Sequence, residues 1–147
     1  KLMEYLKSSE KIRDALIPHN YTGDKDNYLN EVIRPTLFVP EYQDNVRTYI
    51  LFDVIMPRFG GSMKNCLLKI WVVSNKEDIN YFYASDEDGI YTGTKPDIVS
   101  QFIEEILSEE EKCRKFGIGK ISLDDVDIYS KDDFYGRDIS YKTPTFR

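Results

Sequence analysis

The chain has 147 residues, 41% of them hydrophobic and 31% charged, with a net charge of −6. That is the size and balance of one soluble globular domain able to bury a core, and not of a disordered chain. Its acidity, with no Lys or Arg run longer than two residues, argues against a nucleic-acid-binding surface, and no apolar run is long enough to span a membrane.

Taken in order, Leu2, Met3, Leu6, Ile12, Leu16 and Ile17 stand among charged neighbours and predict an amphipathic helix over 2–17, interrupted at Ser8-Ser9 and stopped by Pro18. The opening Lys1-Leu2-Met3-Glu4 has no signal-peptide core. Residues 18–47 are expected to be loop-rich. His19 to Tyr28 reads as a surface loop, and Pro35 and Pro40 confine any strand between Leu29 and Val39 to a short edge piece. A hairpin follows over 48–73, made of Thr48–Met56 and Asn65–Val73 around a glycine-bearing loop at 58–63. Both strands are apolar at nearly every position. They are therefore expected at the centre of a sheet, covered on both faces by helices or by a neighbouring subunit, with Phe52, Val54, Cys66, Leu68, Ile70 and Val72 buried.

Residues 76–95 read as an excursion, with an aromatic patch Ile79–Ala84 and an acidic turn Ser85–Gly89. Thr94-Lys95-Pro96-Asp97 then signals a helix start, with proline where a missing N–H is harmless and aspartate at the positive end of the dipole. Ile98, Val99, Phe102, Ile103, Ile106 and Leu107 recur at intervals of three and four, so a helix over 96–110 carries one apolar stripe to lay on the sheet. The remainder, 117–146, reads as a closing strand pair. Ile121, Leu123, Val126 and Ile128 lie on the first strand, and Arg137–Thr143 forms the second after a turn at Gly136. The fold class is α+β in a single domain: an N-terminal helix, a mostly antiparallel sheet with a central hairpin, one helix packed across it and a closing C-terminal strand pair.

The residues that could carry chemistry are sparse. His19 is the only histidine and falls in a loop after Pro18, which leaves triads and histidine-rich metal sites at most one member. Cys66 and Cys113 sit in dissimilar contexts and read as reduced, structural thiols. Pro96-Asp97 with Glu110-Glu111-Lys112 superficially fits a metal-dependent nuclease signature, but a helix between them would hold Asp97 and Glu110 about 20 Å apart. Asp86-Glu87-Asp88-Gly89 fails as a calcium loop because position 95 is Lys95 where a bidentate Glu is needed. Asp24-Lys25-Asp26, Asp124-Asp125-Val126-Asp127 and Asp132-Asp133 read as solvated loop charges. Gly60-Gly61 and Gly117-Ile118-Gly119-Lys120 do not introduce a helix after a strand, so no phosphate cradle forms. No catalytic residue, metal or cofactor is expected. Eleven Tyr and eight Phe fit half-buried sheet faces and interfaces instead.

Thr94-Lys95-Pro96-Asp97-Ile98, Phe116-Gly117-Ile118-Gly119-Lys120 and Gly136-Arg137-Asp138-Ile139-Ser140-Tyr141 resemble segments of small proteins at the head–tail junction of tailed bacteriophages, nearest to the tail-terminator or tail-completion type. The order of elements over 1–17 and 46–146 is similar to theirs. The excursion at 76–95 and the proline-rich 34–40 segment depart from a minimal version of that fold. The resemblance implies a non-catalytic virion protein that forms a homo-oligomeric ring, often of six copies. Such a ring caps the tail tube and meets the head connector, with DNA passing through it unbound and no membrane involved. Contacts are then expected at sheet edges and at the loops 19–47 and 57–64, with Phe38, Tyr42, Arg58, Phe59 and Met63 as candidate interface residues. The other reading open from sequence is a different virion adaptor or a small interaction module without catalytic activity.

Overall fold

The computed structural model describes residues 2–35, 47–55, 66–85, 89–115, 121–131 and 134–143. The N-terminal helix is two: α1 (Leu2–Ser8) and α2 (Glu10–Leu16). Ser9 makes the break, its Oγ accepting from the Ile12 backbone N–H at 3.4 Å to cap the second helix. The loop expected over 18–47 needs correction, because α3 (Lys25–Val32) lies inside it. Asp24 caps α3 by accepting from the Asp26 N–H at 2.9 Å, and Tyr28, Leu29 and Val32 bury one side of the helix. The polar Asp24-Lys25-Asp26-Asn27 run is thus a cap and first turn. After α3 comes β1 (Ile33–Arg34), only two residues long and stopped at Pro35, the short edge piece that the prolines require.

β2 (Thr48–Ile55) and β3 (Cys66–Asn75) pair antiparallel from Thr48↔Ser74 to Ile55↔Leu67. A 3-10 turn (Lys76–Asp78) leads into the excursion, where β4 (Asn80–Ser85) and β5 (Gly89–Thr94) form a two-stranded sheet of their own. The predicted helix follows as α4 (Lys95–Leu107), but it ends at Ser108 and a second short helix, α5 (Glu110–Lys115), takes the charged tail. β6 (Ser122–Lys131) and β7 (Phe134–Thr143) close the sheet, whose order is β1-β2-β3-β7-β6, with β1 parallel to β2 and every other neighbour antiparallel. The fold is α+β, with the expected hairpin of β2 and β3 inside the sheet and the closing strand pair beyond it.

The turn expected at Gly136 is a second correction. Gly136 lies inside β7, opposite Val73, and a Cβ there would stand 1.8 Å from the Val72 carbonyl oxygen. Close approach of two backbones, not a change of direction, is what requires glycine at this point.

α4 packs against α2, β3, β5 and β7, with Ile98, Val99, Phe102, Ile103 and Leu107 buried and Ile106 half-buried. On the sheet face beneath it, Ile50, Leu68, Ile70, Val72, Ile139 and Tyr141 are buried. Of the residues expected in this core, Phe52 is only half-buried, and the side chains of Val54 and Cys66 lie outside the described residues. The opposite face alternates differently. Leu67, Lys69 and Trp71 are half-buried there, and Lys69 joins Asp138 at 3.0 Å while standing over the Trp71 ring. A buried polar node pins the start of α4: Lys95 Nζ donates to Asp78 Oδ1 at 2.8 Å, Thr48 Oγ1 donates to Asp78 Oδ2 at 2.8 Å, and Thr48 and Ser74 share a hydroxyl contact of 2.6 Å.

Candidate interaction surface

β6 is the outermost strand on its side of the sheet, and every residue from Ser122 to Ile128 is exposed. Directly paired residues of antiparallel strands point to the same face. Leu123 pairs with Tyr141, Val126 with Ile139 and Ile128 with Arg137, so these three apolar side chains stand on the helix-covered face. α4 leaves them largely uncovered. Leu123 is 46% exposed, Val126 48% and Ile128 62%, the three large exposed apolar side chains among the described residues. A bulge between Leu123 and Asp125 keeps the row in phase across Asp124.

Between this row and α4 runs a groove of about 400 Å³, floored by Ile139 and Tyr141, walled by Gln101 and Glu104 and bordered by Leu123 and Val126. Arg137 fixes helix to sheet beside it. Its Nε donates to Asp97 Oδ1 at 2.6 Å, Thr94 Oγ1 donates to Asp97 Oδ2 at 2.7 Å, and Arg137 Nη1 donates to the Tyr135 hydroxyl at 3.0 Å. Burial, and then the Glu104 charge, push the Tyr141 hydroxyl well above its ordinary range, so the floor stays neutral.

The other side of β6 is acidic. Asp125 pairs with Ser140 and Asp127 with Asp138, which places both on the face opposite the apolar row. Asp124 has a cation, Lys142, at 3.1 Å, whereas Asp125 and Asp127 have none among the described residues. Asp127 does something else: its Oδ1 accepts from the Ile128 backbone N–H at 2.8 Å. The carboxylate thus occupies a backbone donor of the outermost strand.

Asp97 is therefore the anchor of an ion pair, and Glu110 opens a separate exposed helix. His19 is exposed on a turn, beside a shallow cleft of about 290 Å³ bordered by Glu10, Arg13, Tyr21 and Lys25. Cys113 is a buried free thiol whose Sγ donates to the Leu107 carbonyl at 3.5 Å, and burial raises its pKa, the opposite of what a reactive thiol needs. Among the described residues no cluster of His, Cys, Asp and Glu could hold a metal ion, and no helix is long and apolar enough to cross a membrane. The candidate interface residues Phe38, Tyr42, Arg58, Phe59 and Met63 lie outside the described residues, as do Asp86-Glu87-Asp88, Asp132-Asp133, Gly60-Gly61 and Gly117-Ile118-Gly119-Lys120.

The fold and this surface together define an α+β protein with an open, apolar sheet margin. The chain belongs to the YomW family, whose profile matches residues 1–143. YomW is a phage-derived family (Bacillus phage SPbeta-like), in keeping with the phage resemblance carried by the 94–98, 116–120 and 136–141 segments. No curated protein matches the chain.

Proposed function

We propose that the chain is a structural protein of the phage particle, a ring-forming tail terminator that caps the tail tube and joins it to the head connector. The observation that carries this reading is the ten-residue outer strand β6, whose apolar row is exposed in the single chain. Solvated edge strands are normally blunted by charge on every accessible side, and an uncovered apolar row beside a groove is the mark of a contact surface. The phage-derived family supplies the setting. The excess of acidic over basic side chains suits a channel through which DNA passes without being held. The protein acts by geometry and not by catalysis. Its partners are further copies of itself, the tail tube and the head connector, its place is the assembled virion, and neither a cofactor nor a membrane takes part.

Purified virions analysed by mass spectrometry test this reading first. The chain should be present at a fixed number of copies, and particles lacking it should show unjoined heads and tails or tails of uncontrolled length. Absence from virions overturns the proposal. Presence together with normal joining in its absence places the chain elsewhere in the particle.

A further inference from the structure

We infer that the margin formed by β6 takes an added β-strand from a protein partner, an extended segment in which apolar residues alternate with lysine or arginine. This deepens the assembly reading above and rests on it for the biological setting, though the surface itself is tested separately.

The inference combines three features. Among the described residues the edge is unpaired: β7 lies on one side of β6 and no strand on the other, and the Ile128 N–H is met by the carboxylate of its own neighbour. The two faces of this edge differ in chemistry. Leu123, Val126 and Ile128 stand on one face, and Asp125 and Asp127, without a cation among the described residues, stand on the other. The groove behind the apolar row has a neutral apolar floor and carries Glu104 on its wall. A strand laid antiparallel or parallel along β6 presents its own side chains alternately to these two faces. The complement is therefore an apolar residue over Leu123 and Val126, then a basic residue beside Asp125 or Asp127, then an apolar residue again.

Asp127 adds a selection step. In the free chain its carboxylate accepts the hydrogen bond that an incoming strand's carbonyl needs. A basic side chain arriving on the same face pairs with the carboxylate and draws it away from the Ile128 N–H, which then bonds to the new strand. A neutral strand offers no such exchange and meets a covered donor, and an acidic one meets two like charges as well.

A second copy of the same edge fits less well. Two-fold pairing centred on Val126 sets Asp125 against Asp127, and pairing centred on Asp127 sets that residue against itself. Centring on Ile128 leaves Leu123 beyond the paired stretch, because β6 ends at Lys131, so the groove stays open. Charge complementarity favours a foreign basic strand.

The experiment uses the full chain and a labelled synthetic peptide alternating lysine and valine. Controls are a glutamate–valine peptide and a lysine–serine peptide. Fluorescence anisotropy should show saturable, salt-weakened binding of the lysine–valine peptide alone, with β6 amides gaining hydrogen-exchange protection. The paired substitutions Asp125→Lys and Asp127→Lys should move the preference to the glutamate–valine peptide by on the order of tenfold or more. These exposed positions should leave the fold intact, and a circular-dichroism melt reports whether they do. Val126→Lys provides the second arm and should abolish binding of the lysine–valine peptide to the otherwise unchanged chain, and of the glutamate–valine peptide to the doubly substituted one. Equal binding of the three peptides, or none, overturns the inference. So does a concentration-dependent dimer of the free chain that Val126→Lys dissolves, since that assigns the margin to a second copy. The assembly reading stands or falls on the virion analysis independently of any of these results.

Discussion

Tyr28 shows how one residue carries both a missed element and a measurable consequence. It is buried on α3, its ring tilted against Tyr21 with centroids 4.9 Å apart and with the Arg47 guanidinium 4.8 Å from its centre. Burial pushes its hydroxyl from 10.0 up to about 12, against the opposing pull of Arg47. A raised folded-state pKa means that between these values the folded chain holds a proton that the unfolded chain has lost. Stability from Tyr28 is thus complete below pH 10 and is lost as pH rises towards 12, by roughly 2–3 kcal/mol for a shift of that size. Urea melts across this range should show the decline, and Tyr28→Phe should remove its share of it, the rest coming from Tyr5, Tyr49 and Tyr141, whose hydroxyls burial also raises. Gly136 is the other residue with a sharp expectation. Since a Cβ would meet the Val72 carbonyl oxygen, Gly136→Ala should cost about 3 kcal/mol by forcing two strands apart, measured as a shift in urea midpoint. A substitution at a true turn would be far milder, so this variant separates the two readings of the position. From the sequence a glycine between polar residues signals a turn; only the register shows the neighbouring backbone.

Among the elements, α4 was the most legible, because six apolar residues at helical spacing and a proline-marked start leave little freedom. Phe102 lies at the centre of its buried stripe, with Lys11 of α2 5.4 Å from the ring centre. Phe102→Ala should destabilise the chain by about 3–5 kcal/mol in a denaturant titration. A loss near zero would mean that the stripe contributes nothing to the fold of the single chain. β2 and β3 were legible for a related reason: near-continuous apolar runs belong inside a sheet. The elements that escaped are short or placed by tertiary context. α3 is eight residues whose polar first turn reads as a loop, and only the spacing of Tyr28, Leu29 and Val32 marks it. The exposure of the β6 row escaped because Ile121, Leu123, Val126 and Ile128 read as a half-buried strand, whereas that exposure depends on where α4 ends and on which strand is last in the sheet. Neither is written in the local pattern.

For the whole molecule, the sheet places β7 between β3 and β6 although β7 is the last strand in chain order. β3 and β7 face each other from Cys66↔Thr143 to Asn75↔Phe134, with the small β4–β5 sheet and both later helices threaded between them in sequence. Contacts so distant along the chain close slowly. The consequence falls on synthesis. A ribosome making this chain delivers β2, β3 and α4 first, and the inner edge of β3 stays naked until residues 134–143 have emerged. A stalled or truncated product would display Leu68, Ile70 and Val72 beside an unpaired strand edge, the combination most prone to aggregate. A chain stopped at residue 131 should therefore be recovered from the insoluble fraction, and supplying β7 as a separate peptide during translation should return part of it to solution. The order of the sheet is thus a built-in inspection: only a chain made through β7 can join β6 to β3 and present the outer margin at all.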